Sequence, residues 1–144
     1  MQLDAAGEEL KRVQLPDYMD PEHAVESPTG TFIVSHLNTQ LNGQWQVSEV
    51  NTEGEVLRHF SRPLGRTPHI AVDSQGHIFV PDSDNRRILL LDAHLALRRV
   101  IIDEHQLNDR RPCRLCYNEQ SGQLLVGLHV WRDGVVSVFD VLER

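Results

Sequence analysis

Short apolar runs alternate with polar residues along most of the chain, and each run closes on Gly, Asn, Asp or Ser. Runs of this length with a period of two predict strands, and closely spaced turn residues between them predict antiparallel hairpins. The middle of the chain is clearest, with strands at 69–73, 77–81, 87–92 and 96–102 and turns at Ser74–Gly76 and Asp82–Asn85. The stretch before it predicts strands at 23–26, 31–35, 44–51 and 55–60, and the stretch after it at 113–118, 123–127 and 134–140.

Self-comparison shows why these groups look alike. Pro21-Glu-His-Ala-Val-Glu with Gly30-Thr-Phe-Ile-Val aligns with Pro68-His-Ile-Ala-Val-Asp and Gly76-His-Ile-Phe-Val, and with Pro112-Cys-Arg-Leu-Cys-Tyr and Gly122-Gln-Leu-Leu-Val. The prolines lie 47 and 44 residues apart. A second register, Gln2–Asp4, Glu49–Asn51, Leu90–Asp92 and Val138–Asp140, repeats at 47, 41 and 48 residues. Residues 5–13 and 92–102 hold strong helix formers, but the matching stretch 53–60 has a glycine turn and strand alternation, so the repeat decides for strand. One helical turn is expected at Asp103–Leu107.

Four antiparallel strands repeated about every 40–50 residues predict an all-β fold of β-propeller blades. The chain holds about three blades, half of a six-bladed ring. It is expected to be a single segment over 1–144 in which 1–14 forms strands c and d of a preceding blade. Complete blades follow at 21–60 and 68–102, and 112–140 is a blade lacking its outer strand.

Residues 69–92, HIAVDSQGHIFVPDSDNRRILLLD, resemble an NHL repeat through Asp73, Gly76, Asp82, Asn85, Arg87 and Ile88. The flanking units keep the strand spacing and lack the Asn-x-Arg-Ile element; His36 and Gly127 or Leu128 stand where Asp82 does. The resemblance implies NHL-type blades, which usually assemble six to a propeller. The residues also have a structural reading: Asp82 and Arg87 face each other across a tight hairpin and can pair, and Asn85 suits a left-handed turn.

Composition places the chain among soluble globular proteins, with 40% hydrophobic and 24% charged residues. It has no apolar run of membrane-spanning length and no basic-then-apolar leader. With two cysteines and no glycosylation sequon, cytoplasm is the default compartment. The net charge of −7 argues against nucleic acid and anionic membranes as partners. Charge is uneven: residues 1–57 carry 10 acids and 2 bases, whereas 58–114 carry 7 acids and 10 arginines. Three blades cannot close a ring, and the last one presents an unpaired edge. The expected partner is therefore a second copy closing a six-bladed homodimer, with the N-terminal strands of one chain completing the last blade of the other, or else the rest of a longer propeller.

Three functional classes remain. The first is a non-enzymatic scaffold or binding module for other proteins, with no cofactor and no catalytic residue; Trp45 and Trp131, near the outer turns, are candidate anchors or inter-blade filler. The second is a metal-dependent lyase or hydrolase. Glu22, His23, His69 and Cys113 follow or flank the three repeat prolines, where innermost strands open on the channel mouth, and all are metal-ligand types. The third is RNA binding through the arginines at 86–87, 98–99, 110–111 and 114. Cys113 and Cys116 form a CxxC without the helix or second pair such motifs use, and on a strand Cys116 is expected to be buried.

Overall fold

The computed structural model describes residues 2–3, 7–60, 62–67, 69–129 and 134–141, and every regular element in them is a strand except one turn of 3-10 helix. β1 (Gln2–Leu3) and β2 (Glu9–Lys11) form a two-stranded ribbon. The first large sheet holds β3 (Met19–Glu26), β4 (Phe32–Asn38), β5 (Gln44–Val50) and β6 (Val56–His59). The second holds β7 (Ala71–Val72), β8 (Ile78–Asp82), β9 (Arg87–Leu91) and β10 (Leu97–Ile102). The third holds β11 (Arg111–Asn118), β12 (Gln123–His129) and β13 (Gly134–Asp140). Every pairing is antiparallel between chain neighbours. β7 touches both β3 and β11, so the leading strands of the three sheets line up along one axis. No helix among the described residues is long and apolar enough to cross a membrane.

The core explains the unbroken apolar run in β9. Leu89 and Leu91 pack with Ile78 and Val80 against Ile33 and Val47 of the first sheet. Ile88 and Leu90, with Phe79, turn the other way onto Leu115, Leu124 and Val126 of the third. A strand covered on both faces carries apolar residues at every position, and each such side chain contributes about 1.5–3 kcal/mol by leaving water. Among the described residues the third sheet is covered on one face only, so β13 alternates between exposed and half-buried residues, and Val136 and Val138 stand 66% and 55% exposed.

The turns follow the motif. The Asp73 carboxylate accepts the N–H groups of Gln75 and His77, each at 2.9 Å, and so holds the β7–β8 hairpin closed. Asp82 is fully buried and accepts three bonds, from the Gly65 N–H at 2.8 Å, Asn85 Nδ2 at 3.0 Å and Arg87 Nε at 2.8 Å. The expected Asp82–Arg87 pair is present. The left-handed residue of this turn is Arg86, with φ 53°, and not Asn85, whose amide is held by Asp82. Asp103–Leu107 makes its turn through reciprocal bonds between Asp103 and Gln106, both 2.9 Å, and through Leu107 N–H to Asp103 O.

Two expectations are corrected. Pro21 and Pro112 lie inside β3 and β11 rather than before them; both are edge strands, where a missing N–H removes no obligatory ladder bond. Pro68 lies outside the described residues. Register shifts directly after each proline, between Pro21 and His23 and between Pro112 and Arg114, leaving Glu22 and Cys113 without a cross-strand partner. These are β-bulges, and the second resets the alternation of β11: Leu115 turns into the core and Cys116 is exposed instead of buried.

Candidate functional site

The two bulges open on one cavity of about 410 Å³ at the rim where β3 and β11 begin and the β8–β9 turn ends. Its wall is built by the connection between the first two sheets. Gly65 lies so close to that turn that a Cβ on it would stand 2.6 Å from the Asp84 Cβ, so only glycine fits. Its N–H is held by Asp82, the Arg66 N–H donates to Asp84 Oδ2 at 3.1 Å, and the Ser83 N–H donates back to Arg66 O at 2.9 Å. Strapped in this way, Arg66 reaches Glu22 Oε1 at 2.9 Å and lies over the Trp45 ring, 5.9 Å from its centroid. The bond and charge of Glu22 push the Arg66 pKa up. On the far wall Ser83 Oγ donates to Pro112 O, and Arg111 Nη1 lies 3.9 Å from Asp84 Oδ1. Cys113 and Arg114 complete the lining.

Below this rim His23 and His69 stack, with ring centroids 3.8 Å apart and planes at 20°. The Ile70 N–H donates to His23 Nδ1 at 3.2 Å, so that nitrogen is an acceptor and the ring is neutral. Burial, first, and then the charges of His69 and Arg114 lower the His23 pKa. His69 Nδ1 is buried without a hydrogen-bond partner among the described residues.

The four sequence candidates are thus brought to one end of the molecule in two settings. Glu22 and Cys113 line the cavity, while His23 and His69 face each other at the junction between sheets. Among the described residues no group of three or more His, Cys, Asp or Glu could hold a metal ion. Glu22 is already bonded to Arg66, and His23 to a backbone N–H. Trp45 packs on the core between the first two sheets, while Trp131 lies outside the described residues. Of the arginines considered for RNA, Arg87 is held by Asp82, Arg86 donates to Asp109 O, and Arg98 and Arg99 lie on the outer strand β10. Arg111 and Arg114 reach the cavity.

Sequence reasoning missed Arg66, Ser83 and Asp84. Arg66 sits in a connection without strand periodicity; the available signal was its place just before a repeat proline, at the end of the blade where the loops gather.

No protein-family model and no curated protein matches the chain. Solved structures do. A gluconolactonase from Xanthomonas campestris superposes with a TM-score of 0.59 at 19% identity, over 86% of this chain and 39% of that one. A protein of unknown function from Bacteroides caccae superposes with a TM-score of 0.54 at 17% identity, over 96% of this chain and 52% of that one. The likeness is one of fold: an all-β architecture of propeller-type blades, of which this chain supplies three sheets. The chain spans about half the length of these neighbours, or less.

Proposed function

We propose that the chain is an NHL-type propeller segment acting as a non-enzymatic binding module for protein partners, with its recognition site at the cavity of Glu22, Arg66, Arg111 and Arg114. The NHL assignment rests on the unit Asp73–Ile88, in which each motif residue has a structural task. The observation that carries the binding reading is the set of opposed charges on a rigid rim around an open cavity of about 410 Å³, a size in the ordinary range for ligand sites. Selection of displayed peptides on the immobilised protein tests it. Peptides should be enriched on the free protein and lost when Cys113 is alkylated with a bulky maleimide in a Cys116→Ser background. Enrichment indifferent to that block would refute a site at the rim.

The assembly belongs to the same proposal: a second copy closes the ring by covering the open face of the third sheet, where Val136 and Val138 are exposed. Light scattering should give twice the 16.4 kDa chain mass. A monomer at every concentration would rule this assembly out.

A second reading, a lactone hydrolase, is favoured by the gluconolactonase likeness. The described residues do not themselves offer a metal the three ligands it would need. Lactone turnover dependent on added divalent metal and abolished by Glu22→Gln would support this reading, and turnover no faster than buffer would remove it.

A further inference from the structure

The cavity is charged unevenly, and the imbalance points to the chemistry of its ligand. Among the described residues lining it, Arg66, Arg111 and Arg114 face two carboxylates, Glu22 and Asp84. These groups are not equally engaged. Arg66 donates one bond to Glu22 at 2.9 Å, whereas Arg111 stands 3.9 Å from Asp84, beyond hydrogen-bond reach. Arg114 has no partner among the described residues. It is exposed, and its charge is felt by His23, whose pKa it helps to lower. A chain of net charge −7 therefore keeps a pocket in excess by one cation, with a guanidinium fork free and a second one loosely held.

Resting on the binding reading above, we infer that this pocket takes a carboxylate of an acidic peptide segment, bound in a bidentate manner by Arg114 with Arg111 alongside. The guanidinium fork matches the planar carboxylate, and Arg111 can exchange its distant contact with Asp84 for a close one. Nucleic acid fits less well. Glu22 and Asp84 on the rim, and the negative charge of the chain as a whole, oppose a run of phosphates, whereas a single carboxylate meets the single excess cation.

The test is calorimetric titration of the full chain at low salt with a capped octapeptide of alternating Glu and Gly, its Gln counterpart and a single-stranded RNA octamer. The Glu peptide should bind at least about tenfold tighter than the Gln peptide, as expected for charge-assisted bonds. Arg114→Gln should abolish that preference, Arg111→Gln should reduce it, and Arg98→Gln, on the outer strand, should leave it unchanged. Unfolding curves for each variant separate loss of binding from loss of fold. Equal binding of the Glu and Gln peptides, an equal loss in Arg114→Gln and Arg98→Gln, or tighter binding of the RNA would each overturn the proposal. If peptides selected on the protein still require an open cavity while the Glu peptide fails, the ligand class falls and the binding module stands. If the selection also ignores the cavity block, both fall.

Discussion

The second and third sheets are built from the same repeat and differ in how many neighbours they have. β8 and β9 sit between two sheets and are apolar on both faces, whereas β11 and β13 meet one sheet and alternate. Hydrophobic period in this fold therefore reports position in the stack as well as strand character. A continuous run such as Ile88–Leu91 marks an interior blade, and alternation with exposed valines marks a blade with one face open.

Truncating one apolar side chain in each sheet should separate the two environments most strongly. Phe79 is completely buried and packs 5.0 Å from the Tyr117 ring, so Phe79→Ala should cost about 3–5 kcal/mol in denaturant unfolding. Val136→Ala, at a site 66% exposed, should cost less than about 0.5 kcal/mol in the isolated chain. Similar losses at the two positions would mean that the third sheet is covered on both faces in solution. The same contrast holds for charge. Asp82→Ala strips three donors of their buried acceptor and should cost about 3 kcal/mol or more by the same measurement. Glu22→Gln removes only a part-exposed pair and should change stability by less than about 1 kcal/mol.

A pH dependence probes the junction between the first two sheets. His23 has a lowered pKa in the folded protein, so the unfolded chain takes up its proton first. Its contribution is present in full above the ordinary histidine pKa of about 6.5 and is lost as pH falls from there through the folded value. His36, fully buried and bonded to Ser48 Oγ at 2.8 Å, also has a lowered pKa and acts with the same sign. The unfolding free energy should therefore fall as pH drops below about 6.5, by at most about 1.4 kcal/mol per pH unit for each histidine. His23→Gln should reduce that slope; an unchanged slope would remove the stacked pair from the explanation.

Most of the fold was legible because strand alternation and turn residues are local signals. β8, β9, β12 and β13 lie within two residues of their expected bounds. The departures have physical causes. β3 starts at Met19 rather than 23 because an edge strand tolerates Pro21, and β7 shrinks to Ala71–Val72 because the Ile70 N–H goes to His23 instead of the ladder. The candidate site was partly legible. Repeat alignment pointed to Glu22 and Cys113, which line the cavity, and to His23 and His69, which stack beside it, but Arg66 and Asp84 are joined by contacts between separate loops, which no periodicity encodes.

The paired bulges at Glu22 and Cys113 take both residues out of the cross-strand ladder. A residue in register has a partner across the ladder, while a bulged residue is left unpaired by it. The first and third blades accordingly present an acid and a thiol on backbone of the same shape, beside one opening. Equivalent bulges of two blades thus carry different side-chain chemistry on one frame, and it is the rim residues, not the ladders, that differ between them.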